Sequence, residues 1–353
     1  MRLKLLPITA VALLSIAIQV FAQNPHTALA SLPEADALIY VSPQRILNEA
    51  APRVVDPAEL TKMRSAFADL KKSVGIEPSS VEYLVIAVRF NKPASDLSFV
   101  APDIMAVIGG DFSSDSLMTL GQLYLQDKVR VEQYGSKAIT LMKIDPIAAE
   151  AERNPILKPF TELGVVPLTA NSLAFGNLRY LKSAIDAANG NGRISAASLE
   201  SLLRDPNALI SASGAPLASF AKSFGMLGLE NTTRESRCDT SFGNFYAALT
   251  MTGTSFSLRG AMNADNPDTA KIIHGLLSGF MQQGISAVSD KDAQTMLKAL
   301  KMTARESEIV MEADIPDKVV ADMLKSASKP ATKEPAKTSA PATKRPVRKK
   351  RTR

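Results

Sequence analysis

Two pairs of apolar segments repeat at almost the same spacing and constrain the fold more than any other feature. The chain reads ADALIYVS at 35–42 and NALISAS at 207–213, and their Ala-Leu-Ile cores are offset by 171 residues. A second pair, KAITLMKIDP at 137–146 and SEIVMEADIP at 307–316, matches at an offset of 170. Because the two pairs bracket stretches of similar length, the sequence predicts a tandem duplication.

Between these ends, each half reads as strand, helix, strand, strand, helix, strand, strand. VEYLVIAVRF at 81–90 and DIMAVIGG at 103–110 are Val/Ile-rich runs, which are typical of strands covered on both faces. Strands joined by hairpins and interrupted by helices favour an α+β fold. We therefore predict two tandemly duplicated halves, each a mostly antiparallel sheet with helices on one face; whether the sheets merge is open.

Two amphipathic helices are predicted most clearly. Asp56 can cap a helix that begins at Pro57. A second helix begins at Asn266-Pro267 and is the longest. Their apolar stripes keep the helical period: Leu60, Met63, Phe67 and Leu70 in the first, and Ile272, Ile273, Leu276, Leu277, Phe280 and Met281 in the second.

The chain divides into five segments. We predict a signal peptide at 1–22, a short linker at 23–34, a first α+β repeat at 35–194, a second at 195–326, and a Lys/Pro/Ala-rich tail at 327–353 that does not fold. A length of 353 residues is consistent with two domains.

The N-terminal segment has the pattern of a secretory signal. Arg2 and Lys4 precede an apolar run that ends at Ala22, where we predict cleavage. The alternative is an uncleaved anchor, since the run is near the lower limit for spanning a bilayer. The expected location is therefore periplasmic or extracellular. Cys238 is the only cysteine, so no intramolecular disulfide can form.

Charge separates the tail from the body. Residues 325–353 carry eleven Lys and Arg and one acid, whereas residues 23–324 carry 28 basic and 34 acidic residues. Seven basic residues crowd the end of the tail and are the predicted binding residues: Lys344, Arg345, Arg348, Lys349, Lys350, Arg351 and Arg353. We expect them to contact an anionic envelope polymer or lipid surface. The alternatives are a solubilising tail and nucleic-acid binding.

Catalytic motifs are sparse. His26 lies just past the predicted cleavage point, and His274 falls beside the apolar stripe of the longest helix. Ser219 and Lys222 match the Ser-x-x-Lys spacing of a lysine-activated serine, but the companion elements of that enzyme class are missing from the body. A helix with one polar edge explains the pair better, because a pattern with two fixed positions in four residues is common.

Two further patterns resemble ligand sites. GGDFSSDS at 109–116 joins a strand to a helix, but it lacks a phosphate-loop lysine, and capping by Ser113, Ser114 or Asp115 explains it. Asp265 and Asp268 lack the glycine and distal Glu of a calcium loop. We predict no cofactor and no metal site.

Three segments resemble a loose family of uncharacterised exported bacterial proteins with repeated strand–helix halves: LPEADALIYV, IMAVIGGDF and SLAFGNLRYLKSAID. The resemblance covers about residues 32–324 and implies the duplicated architecture and export. It implies no activity and no site residues.

These features favour an exported, non-enzymatic binding or structural protein of the bacterial cell envelope. Its body would contact a protein or an apolar ligand, and its tail an anionic surface. One alternative is a periplasmic hydrolase or transferase with a site between the halves. The other is nucleic-acid binding through the tail.

Overall fold

A computed structural model describes residues 29–74, 77–91, 101–125, 129–145, 161–214, 242–287 and 291–327. Within them, the strands are β1 (Ala37–Val41), β2 (Val81–Arg89), β3 (Asp103–Gly110), β4 (Val129–Tyr134), β5 (Lys137–Lys143), β6 (Glu162–Thr169), β7 (Ser172–Gly176), β8 (Ile210–Gly214), β9 (Phe242–Thr252), β10 (Ser255–Ala264), β11 (Lys301–Arg305) and β12 (Glu308–Pro316).

The helices lie between these strands along the chain, and the last one follows β12. The first helical stretch passes from α1 (Pro43–Arg45) through a π-helical turn (Ile46–Ala50) into α2 (Ala51–Val54). The others are α3 (Pro57–Val74), a 3₁₀ turn (Pro78–Ser80), α4 (Ser114–Leu125), α5 (Leu178–Ala188), α6 (Ala196–Leu202), α7 (Pro267–Ala287), α8 (Lys291–Ala299) and α9 (Asp317–Ala327).

All described strands form one sheet in the order β11-β12-β10-β9-β8-β1-β2-β3-β7-β6-β5-β4. Every neighbouring pair is antiparallel. The predicted α+β class is confirmed. The two predicted sheets are continuous, because β1 and β8 pair at the centre, where Leu38 lies opposite Ser213.

The strand order is similar on the two sides of the β1–β8 pair. One side runs β1, β2, β3, then β5 and β4, with the β6–β7 hairpin inserted after β3. The other runs β8, β9, β10, β12 and β11. This order is compatible with two related halves, and the common origin of the halves stays a prediction.

The largest core cluster lies under α5. Leu181 and Ile185 of this helix pack with Val85, Met105 and Val166 of the sheet, and all five are at most 2% exposed. We call this side of the sheet the α5 face. The sequence of α5 explains its position, since one stripe is apolar and Asn177 caps its first turn by accepting a hydrogen bond from the Tyr180 N–H.

Two smaller clusters lie on the opposite side, the α7 face. Ile273 of α7 packs on Met262 and Ile309. Residues directly opposite each other in antiparallel strands share a face. The register leads from Met262 through β9 and β8 to Ala37, so these residues share one face. Successive residues of a strand point to opposite faces, and the next residue, Leu38, lies on the α5 face. Helices therefore cover both faces of the continuous sheet, with α5 on the β1 side and α7 on the β8 side.

The folded body begins earlier than the predicted boundary. Leu29 and Leu32, which fall in the predicted linker 23–34, are 0% and 1% exposed in the core under α5. Leu199 and Leu202 of α6 join the same core although the sequence assigns them to the second repeat. None of the described helices is long and apolar enough to cross a membrane.

Candidate functional site: an apolar cleft beside α3

Helix α3 begins as its sequence predicts. The Asp56 carboxylate accepts a hydrogen bond from the Ala58 N–H at 2.9 Å, and Pro57 occupies the first helical position. The residues of its apolar stripe whose side chains are described are Leu60, Met63 and Phe67, and each is only half-buried. An apolar stripe left half-buried is available to line a cavity.

An ion pair fixes the helix that precedes α3. The Arg53 guanidinium donates to both carboxylate oxygens of Asp317 at 2.9 and 3.0 Å, and also to the Gly253 carbonyl at 2.6 Å. It lies 5.5 Å from the centre of the Phe256 ring. A bidentate pair of this kind has a defined geometry, so α2 is tied to α9 and to the β9–β10 turn.

A cleft with a volume of about 400 Å³ lies between α3 and the preceding and following turns. Its apolar walls are formed by Leu47, Leu60, Met63, Phe67, Ala68 and Pro78. The volume is within the range of roughly 300–1,000 Å³ that is typical of small-molecule sites. The cleft therefore has the size and the chemistry to receive an apolar chain.

The remaining lining is polar and contains two cations and one acid. Lys71 and Glu77 form an ion pair at 2.6 Å. The Lys71 hydrogen bond, followed by one from Ser79, holds the pKa of Glu77 below its ordinary value. Arg64 and Asn48 complete the polar rim. Since Lys71 and Glu77 neutralise each other, the cleft has a net positive charge that comes from Arg64.

A second apolar surface lies on the α7 face. Ile39, Ile86, Ala106, Phe175 and Val165 form one cross-strand row through four successive strand pairs. All are at least partly exposed, and Ile39 is 36% exposed. This row is partly exposed, whereas the residues of the same strands that point to the α5 face are buried.

The apolar stripe of α7 is divided in the structure. Ile273 is buried and Leu277 partly buried, but Ile272, Leu276 and Phe280 are 55%, 44% and 45% exposed. These three residues are four apart and form one flank of the helix. The apolar face of α7 is therefore wider than the part of it that packs on the sheet.

Among the described residues, the most buried acid belongs to the core, away from the cleft. The side chain of Asp103 is 2% exposed and accepts hydrogen bonds from Arg179 at 2.8 Å, Asn177 at 2.9 Å and Arg89 at 3.0 Å. Burial by itself raises the pKa of this carboxyl, and the three hydrogen-bond donors outweigh it, so the pKa is lowered. Arg89 also lies 4.6 Å from the Tyr180 ring centre. The network fixes α5 on the sheet.

The structure gives the sequence-predicted candidates that it describes ordinary structural roles. His274 is partly buried, and its Nε2 lies 3.2 Å from the Met302 carbonyl oxygen. Ser113 caps α4 by accepting from the Ser116 N–H at 3.2 Å. Asp268 pairs with Lys271. No group of three or more His, Cys, Asp or Glu side chains within the described residues could hold a metal ion.

The remaining candidates lie outside the described residues. They are His26, Ser219, Lys222, Cys238 and the seven basic residues of the tail, Lys344, Arg345, Arg348, Lys349, Lys350, Arg351 and Arg353. Their predicted roles stay predictions.

Sequence reasoning did not find the cleft. Leu47, Phe67 and Pro78 come from three separate elements, and no short motif joins them. The available signal was the mild amphipathicity of α3, which carries several charged residues around a narrow apolar stripe. A helix with so narrow an apolar stripe buries little apolar surface against a core.

Comparison with known proteins finds similarity only in the course of the backbone. No family model matches this chain, and no curated protein matches it. Crystal form III of TP0453 is similar with a TM-score of 0.45 and 10% sequence identity, over 84% of this chain and 97% of that one. Crystal forms IV and I of the same protein give TM-scores of 0.43 and 0.42, each with 9% identity and 84% of this chain covered, and with 95% and 96% of the TP0453 chain covered.

Proposed function

We propose that this chain is an exported, non-enzymatic binding protein of the bacterial cell envelope that holds an apolar molecule in the cleft beside α3. The observation that carries the proposal is the cleft itself, with about 400 Å³ of space and an apolar wall that includes Leu60, Met63 and Phe67. Small-molecule sites are concave, mostly apolar and edged by a few polar groups, and this cleft has each of these properties.

The basic tail complements this role. Export would bring residues 327–353 to anionic lipid or envelope polymer. Each Lys or Arg near an anionic bilayer contributes about 1 kcal/mol, so seven clustered cations are sufficient for attachment that salt weakens. The body would then present its cleft close to the source of apolar molecules.

The cleft is tested by filling it. We would measure binding of the uncharged fluorescent probe N-phenyl-1-naphthylamine to the chain from residue 23 onward. Ala68→Leu places a larger side chain in the cleft wall and is expected to weaken probe binding about fivefold or more, since overpacking costs about 1 kcal/mol or more. Ala66→Leu is the matched control, because Ala66 is exposed on the same helix and does not line the cleft.

Equal probe binding by both variants and the unmodified chain would contradict the proposed site. Failure of the unmodified chain to bind the probe would do so more directly. Both variants should unfold at the same temperature as the parent within a few degrees, because each changes an exposed helical alanine.

The tail is tested separately by replacing its seven clustered cations with Gln. Sedimentation with vesicles that contain anionic lipid should be lost, while probe binding is unchanged. Loss of the same vesicle binding by the unmodified chain at about 0.5 M salt would agree with an electrostatic contact. Vesicle binding that survives the seven substitutions would contradict the role of the tail.

A further inference from the structure

We infer that the molecule held in the cleft is a single-chain anionic amphiphile, a long-chain carboxylate, and that Arg64 binds its headgroup. This inference rests on the proposed function, because it assigns a chemical class to the ligand of the same cleft. It is argued from the charges on α3, from the position of Arg64 and from the polar lining.

The charged residues of α3 are paired with one exception. Glu59 pairs with Lys62 at 2.7 Å, and Asp69 with Lys72 at 3.9 Å. Lys71 pairs with Glu77 just beyond the helix at 2.6 Å. Arg64 has no ion-pair or hydrogen-bond partner within the described part of the chain.

The position of Arg64 suits a headgroup. It lies one turn from both Leu60 and Ala68, which line the apolar wall, and it lines the cleft itself while remaining exposed. A chain in the cleft would therefore place its polar end beside a guanidinium that is open to water. Guanidinium groups bind carboxylates through two parallel hydrogen bonds.

The rest of the lining does not oppose an anion. Glu77 is the one acid of the described lining, and Lys71 compensates its charge. Asn48 and Ser79 supply further hydrogen-bonding groups at the same rim. The cleft is thus complementary to a ligand with an apolar chain and one negative charge.

The test compares three ligands with the same chain: dodecanoate, 1-dodecanol and dodecylamine. Each would displace N-phenyl-1-naphthylamine from the chain at low ionic strength, below the micelle-forming concentration. We expect dodecanoate to bind about fivefold more tightly than dodecanol, which is the scale of one exposed charge pair. Dodecylamine should bind least tightly.

Arg64→Gln should abolish the preference for the anion, so that dodecanoate binds no more tightly than dodecanol. Arg64→Glu should reverse the order of the two charged ligands. Lys62→Gln is the matched control, because it removes a cation from the same helix that is paired with Glu59 and lies outside the cleft lining. It should leave the preference for dodecanoate intact.

The outcomes separate the two proposals. If the chain binds the uncharged probe and Ala68→Leu weakens that binding, but Arg64→Gln affects dodecanoate no more than Lys62→Gln does, the headgroup assignment is overturned and the cleft stands. If neither the probe nor any dodecyl ligand binds the unmodified chain, the proposed function itself is overturned.

Discussion

The two sides of the β1–β8 pair have similar strand orders but differ in how they are packed. On the side of β1, the α5 face holds a large core in which Tyr180, Leu181 and Ala184 are 0% exposed. On the side of β8, the α7 face holds two small clusters, and one flank of α7 is exposed. Similar strand order therefore does not decide which face of a sheet is covered, or how tightly.

The β6–β7 hairpin accounts for the difference. It widens the β1 side by two strands and leads directly into α5, which has no counterpart after β12 in the same position. After β12 the chain forms α9 instead, which packs through Val320 and Ala321 with the α7-face cluster that contains Phe256. The larger core therefore lies on the β1 side, and the cleft on the same side lies beside α3, whose described apolar stripe is only half-buried.

The largest effect that would sharpen this comparison is expected from matched core truncations. Leu181→Ala should reduce the free energy of unfolding by about 4 kcal/mol, and Ile273→Ala by about 2 kcal/mol. Ile273 is 2% exposed, but it lies in a cluster of five buried residues where the open flank of α7 lets the site relax. Urea unfolding of both variants measures the difference. Equal losses of unfolding free energy would show that the two sides are packed equally tightly.

A second effect concerns the buried Asp103. Asp103→Asn should reduce stability at pH 7 by about 3 kcal/mol, at the low end for a broken buried pair, because Arg89 and Arg179 are 30% and 61% exposed and can rehydrate. Unfolding at pH 7 measures this loss. Asp111→Asn, at an exposed acid, is the control and should change little.

The same carboxyl predicts a dependence on pH. Because the folded-state pKa of Asp103 is lowered, its stabilisation is fully present above the unfolded value of about 3.9 and is lost as the pH falls through the folded value. Stability should therefore decline below about pH 4, and the decline should be shallower in Asp103→Asn. An identical pH dependence in both proteins would exclude this role.

The smallest expected effect compares two hairpin turns. Gly135 in the β4–β5 turn and Glu306 in the β11–β12 turn are 171 residues apart and both have positive φ, 56° and 50°. Glycine adopts this conformation freely, whereas a side chain is disfavoured there. Glu306→Gly should raise the unfolding free energy by about 0.5–1 kcal/mol, and Gly135→Ala should lower it by a similar amount. A loss of stability in Glu306→Gly would contradict the strain assigned to this turn.

Local features were predictable from the sequence. The bounds of β3 at 103–110 and the cap of α3 by Asp56 follow from an apolar run and a capping residue, and both are confirmed. Of the three candidate caps for α4, which are Ser113, Ser114 and Asp115, the structure uses Ser113. These signals act over a few residues, so a single sequence contains them.

Longer-range features were not predictable. The pairing of β1 with β8 joins Leu38 to Ser213, and nothing in either segment specifies its neighbour. The burial of Leu29 was missed because a few residues outside a predicted strand have no hydrophobic period to identify them. The cleft combines Leu47, Phe67 and Pro78, whose proximity arises only after the chain has folded.

The central pairing also affects how the chain is made. β1 gains its first neighbour when residues 81–89 emerge, but its other edge stays unpaired until residues 210–214 are synthesised. An open apolar strand edge is a template for joining other chains, and contacts so distant in sequence form slowly. A nascent or prematurely terminated chain that stops before residue 210 thus exposes an aggregation-prone strand edge. A holding chaperone would have to shield this edge until the second half is synthesised.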